Sequence, residues 1–214
     1  MQFDVAKYLG AVTRTVTATE RDGKAARIVT LQRSYTTTQS DLWDAVTNPE
    51  RLPRWFLPVS GDLKLGGRYQ FEGNAGGTIT TCERPQLVAG TWEFAGAVSW
   101  VEARIAAENA EQARLTLAHT CPIGNEHWDT YGPGAVGIGW ELGLMGLALY
   151  LQGENPAEAM DPNTFHLTPE GKALITGSGE DWGRAAIAGG DDPAWAERSA
   201  RTTIGFYTGV PVEG

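Results

Sequence analysis

The alternation of apolar and polar residues is sharpest near the start of the chain. Thr13–Arg21 and Lys24–Tyr35 both alternate, with Asp22-Gly23 between them. Asp-Gly between alternating segments predicts a two-residue hairpin, because both central residues need positive φ. Thr38 with Asp41 then resembles a capping box opening a short helix, with Leu42, Trp43 and Val46 as its apolar face and Asn48-Pro49 as its end. A second short helical turn carries Leu52, Trp55 and Phe56 and closes at Pro58. From Val59 to Thr120, glycine-rich turns and Pro85 divide the chain into six strand segments spaced near ten residues, which predicts an antiparallel meander. Within it Tyr69 and Phe71 share a face, as do Val88, Trp92 and Phe94, and Val101, Ala103 and Ile105. His119 is in phase with Leu115 and Leu117. Thr78–Cys82 is too short and mixed to assign to a face.

The pattern then changes to a helix. From Gly132 to Leu151 the chain can form a helix of about 20 residues, ~30 Å long. Leu142, Met145 and Leu149 form one apolar row, and Trp140, Leu144, Leu147 and Leu151 a second. A helix apolar over most of its girth must be buried. Ala135, Gly139 and Gly143 leave a stripe with almost no side chain, where sheet and helix are expected to approach. Beyond it, Asn155-Pro156 and Asp161-Pro162-Asn163 read as loops. Thr168-Pro169 opens a helix towards Ala188, weakened by Gly177-Ser178-Gly179. Asp192-Pro193 opens a last helix to about Tyr207. The expected class is α+β, with a curved antiparallel sheet wrapped around the long helix and two short helices after the first core strand. The expected division is a main domain over residues 1–152, including the strand at 13–21, and a helical hairpin over 153–214 packed on it.

Composition narrows the functions. The net charge of −9 and a pI near 4.8 oppose binding to nucleic acid or to anionic lipid. Residues 150–214 hold ten acidic and four basic residues, read as a solvated surface. Cys82 and Cys121 are too few for a disulfide framework and read as free thiols in a reducing compartment. The first ten residues lack the features of a secretory signal. The long helix passes a length test for a membrane span, but six glycines between Gly132 and Gly146 and the central Glu141 oppose that reading. A cytoplasmic protein is expected.

Several motifs in order carry a family resemblance. They are Asp41–Leu52 (DLWDAVTNPERL), Arg54-Trp55-Phe56, Gly66-Gly67-Arg68-Tyr69, Thr91-Trp92-Glu93-Phe94, Leu115–Thr120 (LTLAHT) and Gly139-Trp140. Over residues 24–152 the chain resembles the helix-grip fold of the START-like, SRPBCC superfamily. Within that superfamily it resembles the branch related to the C-terminal domain of activators of the Hsp90 ATPase. The resemblance implies a cavity between the sheet and the long helix, where many relatives bind small apolar molecules. It does not transfer a co-chaperone role, because the true activators have a separate N-terminal domain for which this chain has no room.

The candidate ligand-binding residues are Trp55, Phe56, Tyr69, Phe71, Trp92, His119, Trp128, Tyr131, Trp140, Glu141 and Met145. Aromatic walls bury ligands and stack on flat rings. His119 and Glu141 are also candidate acid–base groups; against this stand a hydrogen-bonded core histidine and a carboxylate paired with an arginine from a strand. His119, Cys121, His127 and Asp129 suit zinc by type but match no familiar spacing, so no metal and no cofactor are expected. Gly132, Gly134 and Gly137 match GxGxxG without the preceding buried strand that a dinucleotide site requires, and read instead as close-packing positions. The expected function is binding of a small hydrophobic or amphipathic molecule. The alternatives are a cyclase- or hydrolase-type enzyme using His119 or Glu141, and a protein-interaction module. A homodimer is a further possibility.

Overall fold

The computed structural model describes residues 4–210. In chain order the elements are α1 (Val5–Gly10), β1 (Thr13–Arg21), β2 (Lys24–Tyr35), α2 (Gln39–Thr47), a 3-10 turn (Leu52–Arg54), β3 (Val59–Gly61), β4 (Arg68–Phe71), β5 (Gly76–Glu83), β6 (Leu87–Phe94), β7 (Ala97–Ala107) and β8 (Ala113–Pro122). They continue with α3 (Glu126–Tyr131), α4 (Gly134–Leu151), α5 (Pro156–Ala159), a 3-10 turn (Phe165–Leu167), α6 (Pro169–Ala188) and α7 (Pro193–Thr208). The strands form one sheet in the order β1-β2-β8-β7-β6-β5-β4-β3. This is the α+β helix-grip arrangement, a curved open antiparallel sheet with long C-terminal helices.

Most predicted boundaries have visible local causes. Asp22 and Gly23 adopt φ of 51° and 72°, the two positive values the hairpin turn requires. The Thr38 side chain accepts from the Asp41 backbone N–H, capping α2. Thr168 and Asp192 cap α6 and α7 in the same way, each followed by proline. The long helix starts at Gly134 rather than Gly132. Asn125 caps the separate short helix α3, and Gly132, at φ 59°, ends it. Asn155-Pro156, read as a loop, leads into the single turn α5, whereas Asp161-Pro162-Asn163 is a turn as expected, with a 3-10 turn following it.

Contacts divide the chain into two interleaved units. One comprises residues 4–31, 121–142 and 160–210 of those described. Here α6 and α7 form an antiparallel pair, and α6 also lies against β1 and α1. The first half of α4 meets this pair through its glycines. A side chain at Gly137 would overlap the indole of Trp182, which is 0% exposed, and one at Gly134 would press on Thr203. The Tyr207 hydroxyl donates to the Ala135 carbonyl at 2.8 Å and covers Gly139. The stripe expected to admit the sheet therefore meets α7 at Ala135 and Gly139. Gly137→Ala adds a methyl against a rigid ring, so a net loss is expected from an overpacking cost of ~1–3 kcal/mol set against a helix-propensity gain of ~1 kcal/mol. A lowered urea midpoint checks this.

The other unit comprises Gln32–Thr120 and Gly143–Ala159. It holds α2, β3 to β7, nearly all of β8 and the second half of α4. Ala113, Leu115, Leu117 and His119 of β8 are buried in strict alternation, as the sequence phase required. The sheet bends where side chains are absent. A Cβ at Gly77 would overlap the Thr91 carbonyl, and one at Gly90 would crowd that of Thr78. The β5–β6 register also shifts between Ile79 and Thr81, and such bulges increase local twist. In this unit Gly143 of α4 carries the Phe56 ring, and Gly146 leaves room for the Trp55 carbonyl. Here too the glycines accommodate the segment after the 3-10 turn instead of a strand.

Candidate functional site

The second unit gathers most of the predicted aromatics into one row. Trp55 and Phe56 follow the 3-10 turn, with ring centroids 5.6 Å apart. Phe56 meets Phe71 edge-on at 5.2 Å; Phe71 lies 5.5 Å from Tyr69 and 5.7 Å from Trp92. Trp92 meets the His119 ring edge-on at 6.0 Å. Strand register explains the alignment: Tyr69 pairs with Gly77, Trp92 with Ser99, and Val101 with His119, so these positions share one face of the sheet.

The row is apolar but not closed. Trp55, Phe56, Tyr69, Phe71 and Trp92 are all half-buried, and so are Val88, Val101 and Ala103 on the same face. Two of the polar edges are used internally. Trp55 Nε1 donates to the Ala45 carbonyl at 2.9 Å, and the Tyr69 hydroxyl donates to the Thr91 carbonyl at 2.6 Å. Burial pushes the Tyr69 phenol up to about 12, so it remains a neutral donor.

At the far end of the row stands a polar pair that the sequence reading half missed. His119 is buried, and its Nε2 lies 2.7 Å from Ser99 Oγ. Ser99 Oγ is also 3.2 Å from the Trp92 carbonyl. Burial pushes the imidazole down to about 4, so it is neutral at physiological pH. Ser99 gave no sequence signal beyond its phase with Val101. It became recognisable only through its register with Trp92. Cys121 is buried, and its thiol is pushed up to about 12, which leaves little thiolate for reaction. Met145 is buried on α4 in this unit.

The remaining candidates lie in the first unit. Trp128 is buried and stacks on Trp195 at 6.3 Å. Tyr131 lies between His127 and Phe206, at 5.2 and 5.5 Å. Trp140 is half-buried on α4. Glu141 is buried and engaged by strand and helix partners. Arg14 of β1 grips it in bidentate fashion, Nε to Oε1 at 2.7 Å and Nη2 to Oε2 at 2.6 Å. Trp182 Nε1 donates to Oε1 at 2.7 Å. The arginine is itself saturated by Asp181 at 3.1 Å and by the carbonyls of Leu9 and Val12. This is the arginine pairing that the sequence left open, and it makes Glu141 a structural ion-pair residue. Among the described residues, no three of His, Cys, Asp and Glu gather as a metal site would require.

A family model described as Activator of Hsp90 ATPase homolog 1-like protein matches residues 36–152. The chain belongs to this family. The matched segment runs from just before α2 to just past α4, and it includes the whole aromatic row. The family falls in the SRPBCC superfamily, whose members bind hydrophobic ligands. Among solved structures, the crystal structure of CalU16 from Micromonospora echinospora is 28% identical, with a TM-score of 0.68 over 83% of this chain and 99% of that one. The solution structure of CalU16 gives 29% identity and a TM-score of 0.71 over 84% and 97%. This likeness extends beyond the family segment into its flanking elements. An HSP90 activator from Plasmodium falciparum shares the fold at 19% identity, with a TM-score of 0.51 over 59% of this chain and 96% of that one. Curated proteins give no match. Helix α4 is long and apolar enough to cross a bilayer, but 61% of it is buried inside the protein, as in the core helix of a folded domain.

Proposed function

We propose that this protein binds a small, ring-bearing apolar molecule against the row formed by Trp55, Phe56, Tyr69, Phe71 and Trp92, without transforming it. The observation that carries this reading is that Tyr69, Phe71 and Trp92 on one sheet face and Trp55 and Phe56 beside them form one run of rings in contact, all left half-buried. A row of aromatic rings in a finished core would be closed. An open one loses stability that a flat ligand restores, and apolar walls with a few fixed polar groups characterise ligand sites. Membership of a superfamily that binds hydrophobic ligands supports the same reading. Catalysis has less support. A histidine with a pKa near 4 is a weak general base at neutral pH, and Glu141 is committed to Arg14.

The test is titration with N-phenyl-1-naphthylamine, a neutral dye that fluoresces on leaving water. Saturable one-to-one enhancement is expected, and Trp92→Ala should weaken it at least about tenfold, as truncation of a central aromatic contact does. Enhancement that does not saturate, or that Trp92→Ala leaves unchanged, would remove the row as the site. Native mass spectrometry of freshly purified protein supplies the mass of any ligand carried along.

A further inference from the structure

The Ser99–His119 pair says more about such a ligand than the aromatic row does. A serine hydroxyl has one proton to donate and two lone pairs to accept with. Ser99 Oγ has two neighbours, His119 Nε2 at 2.7 Å and the Trp92 carbonyl at 3.2 Å. With the serine proton kept on one of these two neighbours, the neutral imidazole allows two arrangements. If Nε2 carries no proton, Ser99 donates to it and keeps both lone pairs. If Nε2 carries the proton, it donates to Ser99, whose own proton turns to the Trp92 carbonyl, and one lone pair remains. Both arrangements use the serine proton inside the protein and leave Ser99 an acceptor.

Ser99 is half-buried and shares its sheet face with Trp92, whereas His119 beside it is 2% exposed. Of the pair, Ser99 is the less buried residue, with His119 as its positioning residue. We infer that Ser99 Oγ is a hydrogen-bond acceptor at one end of the aromatic row, selecting ring ligands that carry a neutral donor such as a phenol over those bearing only an ether or ketone oxygen. This rests on the binding reading above and adds the polarity of the ligand to it. A carboxylate would do worst, because it brings no proton to the serine lone pair and its charge pays a desolvation cost against the aromatic rings.

The experiment compares probes with the same ring. For the wild type, 2-naphthol should bind about tenfold more tightly than 2-methoxynaphthalene, the size expected of one added hydrogen bond in a partly buried site, and 2-naphthoate should bind more weakly than either. Ser99→Ala should bring the first two probes to equal affinity while retaining the methoxy compound. Because that variant leaves His119 with one hydrogen-bond partner fewer, a second readout uses the unaltered protein. The 15N resonances of His119 should shift when 2-naphthol is added and stay in place with 2-methoxynaphthalene. Equal or reversed affinities in the wild type would overturn the acceptor assignment and leave the aromatic site standing. Failure of every probe to bind would overturn both.

Discussion

Glu141→Leu should lower stability by ~3–5 kcal/mol, the usual cost of leaving one member of a buried ion pair without its partner. The exposures of Arg14 and Glu141 side chains are 7% and 6%, so water can do little for the guanidinium left behind. The substitution also strips Trp182 Nε1 of its acceptor within a buried environment. Asp181 still faces Arg14 at 3.1 Å, which sets the expected cost at the lower end of the range. Urea denaturation measures the loss. The double variant Arg14→Met/Glu141→Leu should regain a large part of it, because an apolar pair has no charge to strand. A Glu141→Leu protein as stable as the wild type would mean that the carboxylate serves something other than this ion pair.

Acid should weaken the fold through His119 well before the carboxylates are fully protonated. Burial pushes its imidazole down to about 4 from an ordinary 6.5. Between those two values the unfolded chain binds a proton that the folded chain refuses, and stability rises with pH wherever the unfolded state binds more protons. The contribution is therefore fully present above pH ~6.5. It is lost as pH drops towards 4, reaching ~3 kcal/mol there and no more below it. Denaturation at pH 7 and pH 4.5 gives the slope. In His119→Leu the stability difference between these two pH values should shrink by ~2.4 kcal/mol, the part of the loss that falls in this window, while the carboxylate background, common to both proteins, remains. An unchanged slope would show that His119 does not stay neutral as the pH falls.

The chemistry of these two groups was only half legible in the sequence. The phase of Leu115, Leu117 and His119 placed the histidine indoors, because side-chain direction in a strand depends only on parity. Its partner could not be read that way. Ser99 is 20 residues away, and which residue of the neighbouring strand lies alongside depends on a register that turn lengths and bulges fix jointly. Glu141 stood out as a charge in an apolar helix and so had to be paired. Arg14, 127 residues distant, is one of 17 basic residues, and nothing local marks it as the partner. The glycines of α4 misled for a related reason. A stripe without side chains announces a close neighbour but not which one, and the observed neighbours are Trp182, Tyr207 and Phe56.

By itself the sequence determined the strands, the longer helices, their order and the fold, but not the short helices α1, α3 and α5. Caps, the Asp-Gly turn and the periods of 2 and 3.6 act within a few residues, and those short-range rules suffice to specify strands, helices and their faces. Tertiary structure alone decided which of the predicted aromatics stand together, that five of them form one open row, that Ser99 joins His119 at its end, and that Glu141 is bound to Arg14. Each of those facts depends on contacts between residues far apart in the chain. Such contacts are set by strand register and helix packing, which no local pattern encodes.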